Sequence, residues 1–163
     1  MVKKPDVKRR KNLRLAMCVL FLLQVVVATM PFFQSINDKG ELISQSPFGM
    51  LINFFSMFSM IVEMPAMMTA SVLSLLIILL PLIGFFVCSF DKERNIKNIA
   101  SLIICLAAVF ILVMFPKENV SIGSVISLLL YIVISFITSM AMVLRLSDEG
   151  EEDEQNNKKV NFK

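Results

Sequence analysis

Six of the twelve methionines fall in one stretch, residues 50–68, with the sequence MLINFFSMFSMIVEMPAMM. On a helix with about 100° per residue, most of them align in one stripe. The stripe contains Met50, Met57, Met60, Met64 and Met67. Thioethers are soft ligands that could bind Cu(I), but methionine is also a flexible apolar residue that fills irregular surfaces. Because the chain contains no histidine, we interpret the stripe as packing and predict no metal site.

A narrow polar face adjoins the methionines and carries Asn53, Ser56, Ser59 and Glu63. Glu63 is the only carboxylate inside an apolar segment, where a charge at full membrane depth costs about 2.5 to 3.5 kcal/mol. That cost largely vanishes at an interface, beside the positive end of the next helix dipole. The alternative is a polar anchor for a partner helix, an ion or a lipid head group. We predict these four residues, together with Gln24, as partner-binding or ligand-binding residues.

The remaining chemistry is sparse. The three cysteines, Cys18, Cys88 and Cys105, all fall in apolar segments and are expected to be free thiols that act as small apolar residues. Tyr131 is expected to pack with its hydroxyl bonded internally. The sequence has no histidine, no paired carboxylates within the apolar segments, no glycine-flanked serine nucleophile and no phosphate-binding glycine loop. We therefore predict a protein that is not an enzyme and needs no cofactor.

The elements that position these residues are predicted to be helices in lipid. Hydrophobic residues make up 56% of the 163-residue chain, and the mean hydropathy is +0.76. They are concentrated in four runs, each close to the length of about 20 residues that crosses a bilayer as helix. The runs cover residues of about 15–33, 66–88, 99–115 and 122–144. The sequence therefore predicts an all-α integral membrane protein, with a four-transmembrane-helix bundle over residues 13–144.

Charge predicts the orientation. Fourteen of the sixteen lysines and arginines flank the runs on one side, and only Lys39 and Lys117 fall on the other two connections. The positive-inside rule places both termini in the cytoplasm of a multi-pass protein, which we expect in a bacterial cytoplasmic membrane. Cleavage of the first run as a signal peptide is the less favoured alternative, because the run is longer than a usual signal core. The basic residues determine topology and predict no nucleic-acid partner.

An additional helix is predicted before the second span, over residues of about 47–64. Ser46 has the character of an N-cap, and Pro47 suits the first helical position. A crossing helix would have to reverse direction at Glu63-Met64-Pro65 and would move the cations of residues 91–98 outside. We therefore expect a helix that lies in the outer interface or slants into the bundle and ends at Pro65.

Small and hydroxyl residues recur along one face of each span, as in helices that approach closely in lipid. The predicted helix-packing residues are Ser74, Gly84, Ser101, Ala108, Ser127 and Ser135. Outside the spans, residues 1–12 form a basic cytoplasmic arm. Residues 145–163 form an acidic cytoplasmic tail, with six carboxylates between Asp148 and Glu154, that is expected to be disordered or a fraying helix extension.

These features predict a non-enzymatic, small polytopic membrane protein that serves as an accessory, assembly or regulatory subunit. Its expected partners are the lipid bilayer and another membrane protein or a second copy of itself. The alternative is an oligomeric transporter or channel component, with Glu63, Gln24 and the hydroxyls of the fourth span as lining groups. A response to membrane tension or lipid composition through the outer helix is a third hypothesis.

Overall fold

Apolar runs form the helices, and polar turns separate them. The computed structural model describes residues 7–36, 41–56, 65–90, 95–114 and 121–160. Five helices and one β-hairpin lie in these ranges. In chain order they are α1 (Val7–Val27), β1 (Phe33–Ile36), β2 (Leu42–Gln45), α2 (Pro47–Ser56), α3 (Pro65–Ser89), α4 (Asn95–Val113) and α5 (Ile122–Val160). The predicted all-helical class is confirmed, with the short hairpin as an addition.

Two of the described helices are long and apolar enough to cross a membrane. The qualifying segments are Met68–Ser89 in α3 and Ile122–Leu144 in α5. The apolar part of α1 begins only after Arg14, and the apolar segment of α4, Lys97–Val113, is shorter than the other two. The spans predicted in α1 and α4 therefore stay predictions.

The four long helices, α1, α3, α4 and α5, pack in a cyclic order. α1 contacts α3 and α5, and α4 contacts the same two helices. The core between them includes the fully buried side chains of Phe21, Cys105 and Ile134. α2 packs against α3, which attaches the outer connection to the side of the helical core.

The first helix ends earlier than the apolar run that was predicted as a span. α1 stops at Val27, and the amides of Thr29 and Met30 turn back to the carbonyls of Val26 and Val27 at 3.0 and 2.8 Å. Pro31 has no amide hydrogen and cannot continue a helix. Apolar character extends to Phe33, but the backbone has already left the helix.

The connection between α1 and α2 contains an antiparallel pair of strands. Phe33 pairs with Gln45 and Ile36 with Leu42. The predicted cap after it is confirmed, because the amide of Gly49 donates to Ser46 Oγ at 3.1 Å and α2 begins at Pro47.

The hairpin is attached to the beginning of α5. The amide of Ser121 donates to the Phe32 carbonyl at 3.3 Å, and the amide of Gly123 donates to the Pro31 carbonyl at 3.1 Å. Gln34 Nε2 also donates to Ser121 Oγ at 3.3 Å. A Cβ atom on Gly123 would lie only 2.6 Å from the Pro31 carbonyl oxygen. Glycine at this position therefore permits two chain segments to meet backbone to backbone.

The last helix extends well beyond its apolar segment. α5 continues from Leu144 to Val160 through the acidic stretch. The composition allows either disorder or a helix extension for the tail. In the structure the helix extends to Val160. The predicted helix of residues 47–64 is present as α2 over residues 47–56, and its second part lies outside the described residues.

A close approach between α1 and α3 depends on one glycine. The ring of Phe21, which is completely buried, occupies the space where a Cβ on Gly84 would stand. An added methyl group would overlap the ring, so the helices would have to separate or the ring would have to leave its rotamer. Gly84 therefore sets the distance between α1 and α3.

Gly84→Ala is expected to lower the free energy of unfolding by about 1 to 3 kcal/mol, because it overpacks a buried contact. Gly49→Ala is the contrasting variant, since its new Cβ would lie 3.3 Å from the Ser46 hydroxyl and would not overlap a buried ring. It should destabilise less than Gly84→Ala, because its contact with the capping hydroxyl is relieved by a shift of a few tenths of an ångström and alanine favours helix over glycine. Thermal unfolding of the purified variants measures both effects, and equal stability of the Gly84 variant and the parent would contradict this packing.

Candidate functional site

The buried face of α5 is polar over most of the apolar segment. Five buried residues with a side-chain hydroxyl recur at intervals of three, four or seven residues. They are Ser121, Ser124, Ser127, Tyr131 and Thr138. The distance from the first to the last is about 26 Å at 1.5 Å per residue, close to the thickness of a hydrocarbon core. We name these five residues the polar face of α5.

The opposite face of α5 exposes large apolar side chains. They are Ile122, Val125, Leu129, Ile132, Val133, Phe136, Met140 and Val143. A helix of a soluble protein normally buries its apolar stripe and exposes its polar residues. The distribution in α5 is the reverse of that pattern.

Gln24 bonds α1 to the polar face of α5. Its side-chain amide donates to the Ser127 carbonyl at 2.7 Å, and the Ser127 hydroxyl donates to Gln24 Oε1 at 3.0 Å. Gln24 is only 2% exposed. Such interhelical bonds contribute about 0.6 to 2 kcal/mol in a lipid environment. The geometry is that of a helix-packing pair.

Tyr131 lies one turn after Ser127 on the same face and is 2% exposed. Among the residues that the structure describes, its hydroxyl has no hydrogen-bond partner, which contradicts the expected internal bond. The ring fits the core, but sequence spacing cannot show whether an acceptor lies at the correct distance. A buried hydroxyl without a partner costs about 1 to 3 kcal/mol, and such groups often indicate a functional requirement.

The cysteines lie toward the other end of the long helices. Cys88 Sγ is 3.3 Å from Ser101 Oγ, and Cys18 Sγ is 3.9 Å from Ser89 Oγ. Cys105 is fully buried. All three are free thiols. Within the part of the chain that the structure describes, no group of three or more cysteine or carboxylate ligands converges on one point.

The predicted binding residues are distributed over separate regions. Asn53 and Ser56 lie exposed on α2, and the Ser56 hydroxyl donates to the Asn53 carbonyl at 3.1 Å. Gln24 is instead buried between α1 and α5. Ser59 and Glu63 lie outside the described residues. The polar face of the outer helix is thus described only at Asn53 and Ser56.

Most of the predicted helix-packing residues lie in the core. The buried ones are Ser74, Gly84, Ser101, Ala108 and Ser127. Ser135 is half-buried. Ser74 bonds to the Ala70 carbonyl of its own helix at 2.8 Å, so its hydroxyl is satisfied without a neighbouring helix. The sequence pattern predicts that small side chains lie on the helix faces that pack together. The structure adds which groups they contact.

Lys97, which contributes above only to the predicted topology, also has an enclosed side-chain nitrogen. Lys97 counts among the inner cations, yet its Nζ atom is enclosed and has no hydrogen-bond partner within the described part of the chain. Its position, one turn before Ser101 on the packing face of α4, is the signal that could have identified it.

The chain matches no known protein-family model, and comparisons with curated proteins and with solved structures find no significant similarity.

Tyr131→Phe is expected to raise the free energy of unfolding by about 1 to 3 kcal/mol, because it removes a buried hydroxyl that has no partner while it keeps the ring. Thermal unfolding in detergent measures the change. Ser127→Ala is the control, because its hydroxyl does have a partner in Gln24 and its loss should destabilise. A destabilised Tyr131 variant would show that the hydroxyl is bonded in the folded protein.

Proposed function

We propose that the chain is a non-enzymatic, polytopic membrane protein with four spans, and that it acts as an accessory, assembly or regulatory subunit by binding another membrane protein. The observation that carries the proposal is the inverted distribution of side chains, with hydroxyls and Gln24 inside and large apolar residues outside. Soluble monomers rarely expose continuous apolar surface on this scale.

The inverted distribution extends to the two helices that are less apolar overall. α1 exposes Leu15, Val19 and Val26, and α4 exposes Ile103 and Phe110. In the most apolar 18-residue windows of the candidate spans in α3 and α5, 39% and 22% of the residues are buried, and this low burial supports the proposed contact with lipid. An apolar outer surface on all four long helices supports four spans in one bilayer.

The first span is the shortest, and its end is compatible with lipid. The helix from Leu15 to Val27 covers about 20 Å, and Arg14 can extend its guanidinium toward the interface. The non-helical segment that follows contains Ala28 and Phe32, which are buried in protein. The Phe32 amide donates to the Gln45 carbonyl at 2.9 Å. Irregular backbone at membrane depth is tolerated where protein covers and satisfies it.

The orientation follows from the distribution of cations. With fourteen of the sixteen on one side, the positive-inside rule places both termini in the cytoplasm and the hairpin with α2 on the outer side. A bacterial cytoplasmic membrane is the proposed location.

The proposed partner surface is the exposed side of α2 and β2. Ile52 and Phe55 are exposed on α2 close in sequence to the exposed Asn53, and Leu42 and Ile43 are exposed on β2. A mixture of large apolar and amide groups is typical of protein contacts, while a surface that faces only hydrocarbon needs no amides. We infer that this surface binds an outer segment of another membrane protein.

Site-directed labelling tests the four spans. In a variant without the three native cysteines, single cysteines replace Asn37, Lys92, Glu118 and Asn157. A membrane-impermeant maleimide added to intact cells should label positions 37 and 118. It should reach positions 92 and 157 only after permeabilisation, because position 92 follows two predicted crossings and position 157 follows four. Labelling of position 92 in intact cells would refute the topology.

Photo-crosslinking tests the partner surface. A photoreactive residue replaces Phe55, which is 75% exposed on α2, or Phe136, which is 71% exposed on the apolar face of α5. The Phe55 position should give one discrete protein adduct that Asn53→Ala reduces, whereas Phe136 should give lipid adducts. If both positions gave only lipid adducts, or both gave adducts with many proteins, a specific partner at α2 would be excluded.

The polar face of α5 favours a second candidate function, an oligomeric transporter or channel component. Its hydroxyls follow most of the span, and the free hydroxyl of Tyr131 lies among them. A reconstituted protein that carries an ion or solute flux, with Tyr131→Phe reducing the flux, would favour this candidate. The absence of flux from a protein that crosslinks only as a monomer would exclude it.

A further inference from the structure

Two contacts fix the register between α1 and α3. The ring of Phe21 fills the space beside Gly84, and Cys18 Sγ lies 3.9 Å from Ser89 Oγ. From the first contact to the second, the residue number falls in α1 and rises in α3, so the two helices run antiparallel. Both contacts lie on the way to the end of the core at which α3 terminates.

This register brings two cysteines to the same level of the core. Cys18 lies one turn before Phe21 and Cys88 lies one turn after Gly84, and residues three or four apart share a helix face. Cys88 is also the chain neighbour of Ser89, which Cys18 contacts. The two thiols are close enough to interact electrostatically. Each helix therefore contributes one cysteine near the same interhelical contact.

The spacing of packed helices is compatible with a covalent link between these cysteines. A disulfide needs Cα atoms about 4.4 to 6.8 Å apart. Helix axes pack about 8 to 10 Å apart and each Cα lies about 2.3 Å from its axis, so facing Cα atoms come within roughly 3.5 to 5.5 Å. Gly84 keeps α1 and α3 in contact one turn away, because it accepts the Phe21 ring. A rotation about χ1 of Cys18 would then move its sulfur from Ser89 toward Cys88.

The two thiols differ in access from outside. Cys18 is half-buried, and Ser89 beside it is exposed, so a reagent at the surface can reach the Cys18 sulfur. Cys88 is only 5% exposed, and its Sγ lies 3.3 Å from Ser101 Oγ of α4. An outside reagent therefore meets Cys18 first, and Cys88 is placed to react second.

The third cysteine is farther from this pair. Cys105 lies one turn after Ser101 on α4, about 6 Å farther along the helix from the group that Cys88 contacts. Its side chain is fully buried. Cys105 is therefore the internal comparison for a reaction that needs one accessible thiol and one neighbouring thiol.

We propose that Cys18 and Cys88 are a site of reversible oxidative modification, at which a small disulfide of the glutathione class converts the two thiols into one disulfide. The Cys18 thiolate first attacks the reagent, so a mixed disulfide forms and one reagent thiolate leaves. Cys88 then gives up its proton and attacks the Cys18 sulfur, which releases the second reagent thiolate. The cysteine pair loses two electrons and two protons, and the reagent disulfide gains them as two thiols.

The expected chemistry is reversible. The orientation proposed above places this end of the core toward the cytoplasm, where disulfides are transient and often serve redox sensing. The reduced thiols are the state that the structure shows. A bond between them would join α1 to α3 beside the contact that Gly84 permits, so oxidation should raise the melting temperature of the folded chain.

The test uses the full chain in isolated membranes. The membranes are treated with oxidised glutathione, free thiols are blocked with N-ethylmaleimide, and the purified chain is digested without reductant for mass spectrometry. We expect one pair of peptides linked through Cys18 and Cys88, with Cys105 unmodified by glutathione. Dithiothreitol should restore both thiols.

Cys18→Ser and Cys88→Ser should each lower the linked fraction about tenfold or more, because the second thiol acts at a high effective concentration. Cys88→Ser should also keep the mixed disulfide on Cys18, since serine cannot displace the reagent. Cys105→Ser is the matched control and should change the linked fraction less than about twofold. Melting curves of the reduced variants separate loss of the pair from loss of the fold, and the peptide map of the parent chain decides the pairing if a variant unfolds.

A mixed disulfide that persists on Cys18 of the parent chain, without a link to Cys88, would overturn the proposal. Links that join Cys18 to Cys105, or that join two copies of the chain, would overturn it as well. The pairing itself does not depend on the membrane placement. A chain that stays soluble without detergent would refute that placement, while the same assay in buffer would still decide the site.

Discussion

The arrangement of α5 constrains the rest of the molecule. Its hydroxyls and the Tyr131 ring must face protein, because Ile122, Leu129 and Phe136 occupy the outer face. In water, this helix would expose apolar surface and bury groups that prefer solvent, so both faces would be unfavourable. In hydrocarbon, exposure of the outer apolar face has no free-energy cost, and the hydroxyls need hydrogen-bond partners inside the protein. The other long helices supply a small-residue or polar surface for that purpose.

In the bilayer that we propose, two kinds of contact would hold the helices together without a hydrophobic driving force between them. The first is close approach, which Gly84 permits by leaving room for the Phe21 ring. The second is hydrogen bonding across helices, as in the reciprocal pair of Gln24 and Ser127. The carbonyl of Pro31 adds a third constraint, because it accepts the amide of Gly123 and fixes the outer connection to the start of α5. Geometry, not apolar burial alone, therefore selects this packing.

The sequence predicts those features that depend on local pattern. The helical class, the Ser46 cap and the small residues on packing faces follow from periodicity and turn chemistry. The hairpin was missed, because its strands are only four residues long and its attachment involves Ser121, far away in the chain. Gln24 was grouped with Asn53 because both are polar residues in apolar segments. Helix periodicity gives the face of a residue on its own helix, but it does not specify which helix that face meets.

Two enclosed polar groups have no hydrogen-bond partner among the described residues, and they differ in their surroundings. Lys97 lies in the first turn of α4, next to a connection that is outside the described residues. Tyr131 lies in the interior with 2% of its surface exposed, so any partner must be internal. A core hydroxyl needs an acceptor within the fold. The centre of the core is therefore suited to packing or to a path that the helices themselves enclose.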